Sequence, residues 1–233
     1  MAMWPLAMAL SLFPAMAQQP QGPVRVVVDP GHGGRDRGVK GPSGQWEKDL
    51  TLMLARELRE EARSTGGFQV RLTREEDETF PWARRKGASE GADIWISLHV
   101  NADMHGKARG PRVFYSRWPH QERTQHLQRA ADPNAWAILD DMARIKLGNE
   151  NVLLAEHLQR ALDAFWVQGA HSSKPAPLMG MAELSCPGVL VEVGFLTHPA
   201  DRKVLQDPAR RRLMVKAILR GVRSFVEDPR REQ

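Results

Sequence analysis

The sequence predicts a single α/β domain with a mostly parallel central sheet that is flanked by helices on both faces. Short apolar, β-branched runs alternate along the chain with longer segments of helical periodicity, which is typical of strand–helix–strand units. A length of 233 residues suits one domain. A hydrophobic content of 42% with 26% charged residues indicates a globular chain rather than a disordered or fibrous one.

The strands are predicted from short runs that are bounded by turn residues. Three runs are strongly apolar: 24–29 (VRVVVD), 94–100 (IWISLHV) and 189–193 (VLVEV). The first run meets Pro30-Gly31, and the third is entered through Pro187-Gly188, so both have clear limits. Weaker patterns predict two further strands, at 68–72 and 113–115.

The helices are predicted from apolar residues that recur with a period of about 3.6 residues. Leu50, Leu54 and Leu58 mark the first helix, over 48–64, which ends before two glycines. The other predicted helices span 82–90, 121–146, 150–166 and a C-terminal segment that ends near Phe225, with Gly148 separating the two central helices. The Arg210-Arg211-Arg212 run is interpreted as solvated charge on the last of these helices.

The first 17 residues are predicted to be a signal peptide. Their apolar run is followed by the small-x-small tripeptide Ala15-Met16-Ala17. The run is too short to cross about 30 Å of hydrocarbon, and no other stretch approaches that length, so no stable membrane span is expected. Residues 18–23 form a short polar lead-in. The protein is therefore expected to be secreted across the inner membrane into the periplasm or cell envelope.

The composition favours an anionic partner. Thirty-three Lys and Arg residues against 28 Asp and Glu residues give a net charge of +5, which suits nucleic acid, a membrane surface or an acidic wall polymer. Aromatic residues make up only 6% of the chain, so a stacking platform for nucleic acid is poorly supplied, and no nucleic-acid partner is expected. The single cysteine, Cys186, excludes an intramolecular disulfide and a CxxC metal site.

Four polar residues lie where the predicted elements begin or end. His32 follows the first strand, His99 ends the strand at 94–100, Glu192 interrupts the strand at 189–193, and Glu47 lies at the start of the first long helix. The carboxyl ends of parallel strands form the ligand-binding edge of such a sheet. Two histidines and one carboxylate suit a catalytic zinc ion, and a second carboxylate could then carry a proton. The residues alone leave open which glutamate has which role.

Each of these residues also has an ordinary structural explanation. A single histidine at a strand end is most often hydrogen-bonded, Glu47 could simply favour the helix dipole, and Glu192 could pair with an arginine. The metal hypothesis depends on all four residues falling at equivalent ends of predicted elements. The remaining histidines lack such placement and are expected to face solvent: His105, His120, His126, His157, His171 and His198.

Five sequence blocks resemble a known family. They are DPGHGG, the EKD that follows a glycine-rich loop, LTR, ADIWISLHVNAD and PGVLVEVGFLTHP, and they are similar to the zinc-dependent N-acetylmuramoyl-L-alanine amidases of the amidase_3 type. The resemblance runs in order from about residue 24 to residue 225, and it departs at Val100 and His198, where relatives often carry Ala and Asn. It implies a catalytic domain over 24–228 that hydrolyses the amide between N-acetylmuramic acid and L-alanine in peptidoglycan.

The resemblance also implies the roles of individual residues. His32, Glu47 and His99 match the family's ligands for one Zn²⁺ ion, and Glu192 matches its catalytic glutamate. Asp29 and Asn101 could orient these groups from a second layer of contacts.

Regulation and two alternative functions complete these expectations. Residues 116–165 form a charged helical region. The resemblance implies that this region could be a regulatory insertion with an inhibitory helix that covers the metal and is moved by an activator protein during cell division, whereas the ordinary explanation is a solvated helix face. The alternatives to the amidase are a zinc carboxypeptidase-like peptidase, which would need arginines for the substrate carboxylate, and a non-catalytic wall-binding domain.

Overall fold

A six-stranded sheet forms the centre of the domain in the computed structural model, which describes residues 22–117, 133–166, 171–178 and 180–232. The strands are β1 (Val24–Pro30), β2 (Phe68–Leu72), β3 (Ile94–Asn101), β4 (Arg112–Tyr115), β5 (Lys174–Pro175) and β6 (Gly188–Phe195). Their order in the sheet is β2-β1-β3-β6-β4-β5. The first four strands in this order, β2, β1, β3 and β6, are parallel to one another. Strand β4 is antiparallel to β6 and parallel to β5. The predicted mostly parallel sheet is therefore confirmed.

Five α-helices accompany the sheet in the described part of the chain. They are α1 (Glu47–Thr65), α2 (Trp82–Ala88), α3 (Pro133–Trp166), α4 (Pro199–Gln206) and α5 (Pro208–Val226), with short 3-10 helices at Met181–Glu183 and Pro229–Glu232. Asp207 caps α5, because its carboxylate accepts hydrogen bonds from the backbone N–H groups of Ala209 and Arg210. Within the described ranges, no helix combines the length and the apolar character that a membrane crossing requires.

The two faces of the sheet are covered unequally. The larger core lies between one face and the helices α1, α3 and α5, and it contains Val26, Ile96 and Val191. Val27 and Trp95 point to the opposite face, where they pack with Trp82 of α2 and the turn around Met181. Side chains alternate between the faces of a strand. The second face therefore also carries His99 and Glu192, which follow the same alternation along β3 and β6.

The sequence analysis divided one helix wrongly and did not predict another. Helix α3 continues through Gly148, because a single glycine costs only about 1 kcal/mol in a helix. The helix is held by buried leucines on both sides of the glycine, Leu147 before it and Leu154 after it. Helix α4 was not predicted, since its eight residues are too few for a clear period.

Several side chains that were predicted to face solvent are instead partly or fully buried and have charged partners, so that prediction was wrong for them. His157 pairs with Asp228 at 2.7 Å. Arg211 is buried and forms a two-pronged ion pair with Glu57. The other two histidines that were wrongly expected to face solvent lie within ion-pair distance of aspartates: His171 with Asp163, and His198 with Asp201.

Some sequence predictions lie outside the described residues. These are the signal peptide over 1–17, most of the lead-in, residues 118–132 of the predicted regulatory region, and two of the histidines, His120 and His126.

Candidate metal centre

The four predicted site residues lie at the carboxyl edge of the parallel strands. His32 occupies the turn after β1 with a left-handed backbone (φ 64°), and Glu47 is the first residue of α1. His99 lies near the end of β3, directly opposite Glu192 on β6. The edge is where open α/β sheets bind their ligands, because the loops there leave a crevice.

His32, Glu47 and His99 form one cluster. Each offers one ligand atom, and these atoms all lie within 4.8 Å of one another. His32 Nε2 lies 2.9 Å from Glu47 Oε2, and His99 Nδ1 lies 3.0 Å from Glu47 Oε1. The two imidazole rings meet edge to face, with centroids 4.9 Å apart. The carboxylate of Glu47 thus lies between the two imidazoles and contacts each with a different oxygen.

Glu47 is held as a carboxylate although it is only 3% exposed. Its Oε2 accepts a hydrogen bond from the Val39 N–H, and its Oε1 accepts one from the Val100 N–H, both at 3.0 Å. Burial opposes ionisation, but the contacts with His32 and His99 and these two backbone donors outweigh it and hold the pKa of Glu47 well below its usual range. The cluster therefore contains a fixed negative charge at neutral pH.

Asp36 orients His32, and sequence reasoning missed it. Its Oδ1 lies 2.8 Å from His32 Nδ1, on the side of the ring away from Glu47. Burial lowers the pKa of His32, but the contacts with Glu47 and Asp36 outweigh burial and raise that pKa. A carboxylate on the far nitrogen of a histidine is the usual support of a metal-binding imidazole. Only the spacing of four residues from His32 could have suggested it.

Two glycines make room for the cluster. A Cβ atom at Gly31 would lie 2.4 Å from His99 Cε1, which is too close to the imidazole ring for an ordinary contact. A Cβ atom at Gly38 would lie 2.5 Å from Glu47 Oε2, and Gly38 also has a left-handed backbone (φ 64°). The close approach of the cluster to the backbone therefore requires glycine at positions 31 and 38.

Arg74 holds the loop after β1 in place through hydrogen bonds, and sequence reasoning assigned it no role. It is 1% exposed, and its guanidinium donates hydrogen bonds to the carbonyls of Pro30, Gly31 and Lys48. A fourth hydrogen bond reaches Thr51 Oγ1 in α1. Arg74 therefore joins the loop that carries His32 to the helix that begins with Glu47. In the sequence, only its position in the LTR block pointed to a role for Arg74.

Asp29 and Asn101 occupy different positions around the site. Asp29 is buried and accepts hydrogen bonds from Thr73 and Ser97, and it pairs with Arg85, whose guanidinium reaches the His32 carbonyl. Asn101 donates a hydrogen bond from Nδ2 to Oε2 of Glu192. Asp29 is thus linked to the cluster through Arg85, whereas Asn101 contacts the fourth predicted residue and not the cluster.

Glu192 is poised to exchange a proton near neutral pH. Burial raises its pKa to about 7, and the nearby charges of His99 and Arg112 oppose that rise only in part. A carboxyl group with a pKa close to the working pH is an efficient general acid and base. The fold and this site together define an α/β enzyme with a candidate metal centre at the carboxyl edge of its sheet.

The chain belongs to the Amidase_3 family, N-acetylmuramoyl-L-alanine amidase, whose model matches residues 26–224. It is therefore an enzyme that hydrolyses the amide bond between N-acetylmuramic acid and L-alanine of peptidoglycan. Among the three functions that the sequence left open, the family match selects the amidase.

Relatives from several bacteria share the family. The chain is 28% identical over 218 residues to N-acetylmuramoyl-L-alanine amidase AmiA of Escherichia coli strain K12, covering 86% of this chain and 75% of that protein. It is 30% identical over 227 residues to AmiC of Neisseria meningitidis serogroup B, covering 86% of this chain and 52% of that protein. The chain thus spans three quarters of one relative and about half of the other.

Solved structures share the fold. The N-acetylmuramoyl-L-alanine amidase of Clostridium difficile 630 aligns with a TM-score of 0.71 at 23% identity and covers 89% of this chain and 99% of that one. The CwlD amidase of Clostridioides difficile, solved in complex with the GerS lipoprotein, aligns with a TM-score of 0.69 at 23% identity and covers 87% of this chain and 98% of that one.

Proposed function

We propose that the protein is a zinc-dependent amidase in which His32, Glu47 and His99 hold one Zn²⁺ ion and Glu192 transfers the proton. The observation that carries this proposal is the convergence of three ligand atoms, from three separate elements, within 4.8 Å of one another. Glu192 lies beside them on the neighbouring strand, in register with His99.

The donor set fits zinc. Two imidazole nitrogens and one carboxylate oxygen are the protein ligands of many catalytic zinc sites, and ligand atoms on a tetrahedral ion lie about 3.3 Å apart. Each of the three residues offers one such atom, and these atoms lie within 4.8 Å of one another, which is close enough for the three to share one ion. The depressed pKa of Glu47 supports the fit, because a ligand must be deprotonated.

The chemistry divides between the ion and the chain. When bound, zinc supplies a Lewis acid that polarises the amide carbonyl and lowers the pKa of water. Glu192 accepts a proton from the attacking water and returns it to the alanine nitrogen, because an amide anion is too basic to leave unprotonated. The hydrogen bond from Asn101 fixes the orientation of the Glu192 carboxylate, and Asp36 fixes the ring of His32.

Two substitutions separate these roles. Glu192→Ala should retain zinc but lose turnover. His32→Ala should lose both, because His32 is a zinc ligand and Glu192 is not. His105→Ala, at an exposed histidine that is not part of the cluster, is the matched control and should change neither. Zinc content is measured by atomic absorption. Normal cleavage by the Glu192→Ala protein, or full zinc content in the His32→Ala protein, would contradict the assignment.

Product analysis tests the reaction itself. Mass spectrometry of digested peptidoglycan should detect glycan with a free lactyl group and intact stem peptides that begin with L-alanine. A chelator should abolish these products, and added zinc should restore them. Products cleaved at the carboxyl end of the stem peptide would favour the carboxypeptidase instead.

The location of the enzyme follows from its substrate and its N-terminal sequence. Residues 1–17 have the pattern of a signal peptide, and we propose that the protein acts in the periplasm or cell envelope during cell division. Detection of the mature N-terminus at Gln18, by sequencing of protein from the envelope fraction, would support this proposal. Recovery of the uncleaved chain from the cytoplasm alone would contradict it.

Only part of the 116–165 segment, which is predicted to be regulatory, is exposed enough to bind a partner. The part of α3 after residue 146 belongs to the core, since Leu147, Leu154, Leu158 and Leu162 are buried. The part before it exposes large apolar side chains, among them Met142 at 62%. We propose that an activator protein acts on this exposed part. A deletion within 121–146 should raise basal activity, because it removes part of the helix that the family resemblance predicts to be inhibitory. Unchanged or abolished activity in a folded deletion protein would contradict the proposal.

A further inference from the structure

Three side chains form a row across the face of the sheet that carries the site. His99 on β3 pairs in register with Glu192 on β6, and Glu192 pairs in register with Arg112 on β4. Residues directly opposite each other on neighbouring strands point to the same face, with about 4.8 Å between strands. Arg112 therefore lies on the side of Glu192 that is away from the three-residue cluster.

Phe195 supports the guanidinium of Arg112. One extra residue of β6 lies between Glu192 and Phe195, since His99 and Asn101 pair with positions 192 and 195. This bulge shifts the alternation of β6, and Phe195 then meets Arg112, whose guanidinium carbon lies 5.4 Å from the ring centroid. The cation–π contact restricts the planar group without using its N–H donors.

The donors of Arg112 have no acceptor in the described part of the protein. No described carboxylate lies within ion-pair distance of its guanidinium, and no described group accepts a hydrogen bond from it. By contrast, Arg211 and Arg74 use their guanidinium groups fully on carboxylate or carbonyl oxygens. Arg112 is also half-buried, and Glu192 acts on its charge only from beyond ion-pair distance, so the N–H donors of Arg112 can take the anionic group of a ligand.

We propose that Arg112 forms a carboxylate subsite for the stem peptide, an inference that rests on the proposed function. The guanidinium would bind the carboxylate nearest to the scissile amide, in the two-pronged geometry that arginine favours. One extended residue spans about 3.3–3.6 Å, so a carboxylate on the residue after L-alanine lies about 7 Å from the reacting carbon. Arg112, on the strand next to Glu192, would lie at about that distance from the reacting carbon. The carboxylates of later stem residues lie farther from that carbon.

The test compares two substrates that differ only in that carboxylate. They are N-acetylmuramoyl-L-alanyl-D-glutamate and N-acetylmuramoyl-L-alanyl-D-isoglutamine, in which the same carboxyl group is an amide. The wild-type enzyme should prefer the free acid about 10- to 100-fold in kcat/KM, as expected for a charge-assisted contact. Arg112→Gln should remove this preference, mainly through KM, and leave the amidated substrate within about threefold of wild type. Arg160→Gln, at an exposed arginine of α3, is the matched control.

The outcomes separate the subsite from the proposed function. If the wild-type enzyme releases L-alanyl peptides from both substrates without preference, the subsite is refuted and the amidase stands. Equal losses of kcat/KM on both substrates in the Arg112→Gln protein would indicate that Arg112 acts through its effect on the pKa of Glu192. That result would also refute the subsite. Absence of cleavage at the lactyl–alanine bond in either substrate would refute the proposed function itself. If Arg112→Gln does not fold, Arg112→Lys decides: a reduced preference supports the subsite, and an unchanged one refutes it.

Discussion

Substitution of Gly31 by alanine tests the geometry of the metal centre with a single methyl group. Gly31 lies outside the left-handed backbone region, so alanine introduces no backbone strain. The added Cβ would lie 2.4 Å from Cε1, 2.6 Å from Nε2 and 2.7 Å from Nδ1 of His99. The substitution therefore acts on one side chain, the imidazole of His99, from beneath the ring.

The size of the effect follows from these distances. Ordinary contact begins at 3.4 Å, so the ring must withdraw by roughly 1 Å. A displacement of that size at a reacting centre costs about 100-fold in rate. Packing an extra methyl group against a fixed ring also costs about 1–3 kcal/mol of unfolding free energy. Gly31→Ala should therefore fold with a modestly lower melting temperature, bind zinc more weakly and lose most of its turnover.

The assay measures zinc affinity, kcat/KM on a muropeptide and the melting temperature of the same preparations. Gly87→Ala is the matched control, because a Cβ atom at Gly87 in α2 has no neighbour within 4 Å. This control should match wild type in activity and melt at an equal or slightly higher temperature. A Gly31→Ala protein with wild-type zinc affinity and turnover would refute the assignment of His99 to the metal centre.

Three further predictions concern the groups around the cluster. Asp36→Asn removes the carboxylate that contacts His32 Nδ1, so it should weaken zinc binding about 10- to 100-fold in a competition titration. The same change at the exposed Asp141 should leave zinc binding unchanged. Arg74→Met leaves the Pro30 carbonyl without its donor and removes one donor each from the Gly31 and Lys48 carbonyls, so urea unfolding should show a loss of about 3 kcal/mol or more. Arg63→Met, at a side chain that is 68% exposed, should change the unfolding free energy little. Burial raises the pKa of Glu192 from 4.5 to about 7, so the folded protein disfavours its ionisation and loses stability as pH rises through that interval. In metal-free protein, Glu192→Gln should accordingly increase the unfolding free energy by about 1–3 kcal/mol at pH 8 and little at pH 4, and equal effects at both pH values would contradict this.

Local sequence patterns predicted the framework of the fold well. Strands β1, β3 and β6 have continuous apolar runs because both of their faces are buried, and such runs are recognisable from the sequence alone. Helix α1 shows its period because one side packs on the sheet while the other faces solvent. Helix α3 was divided wrongly at Gly148, since the packing that maintains a helix across a glycine comes from other elements.

The charged residues show where prediction from local patterns ends. His157 and Asp228 are 71 positions apart, and Arg211 and Glu57 are 154 positions apart. Nothing near either residue in the sequence indicates its partner. A charged side chain therefore looks solvated in the sequence unless the fold brings an opposite charge to it.

By itself, the sequence determined the alternation of strands and helices and the presence of two histidines and two glutamates at the ends of those elements, because these properties depend on neighbouring residues. Only the tertiary structure decided that Glu47 lies between the two imidazoles, that Asp36 and Arg74 support the loop of His32, and that Arg112 stands next to Glu192. Those relations depend on strand order and register, which bring together residues from distant parts of the chain.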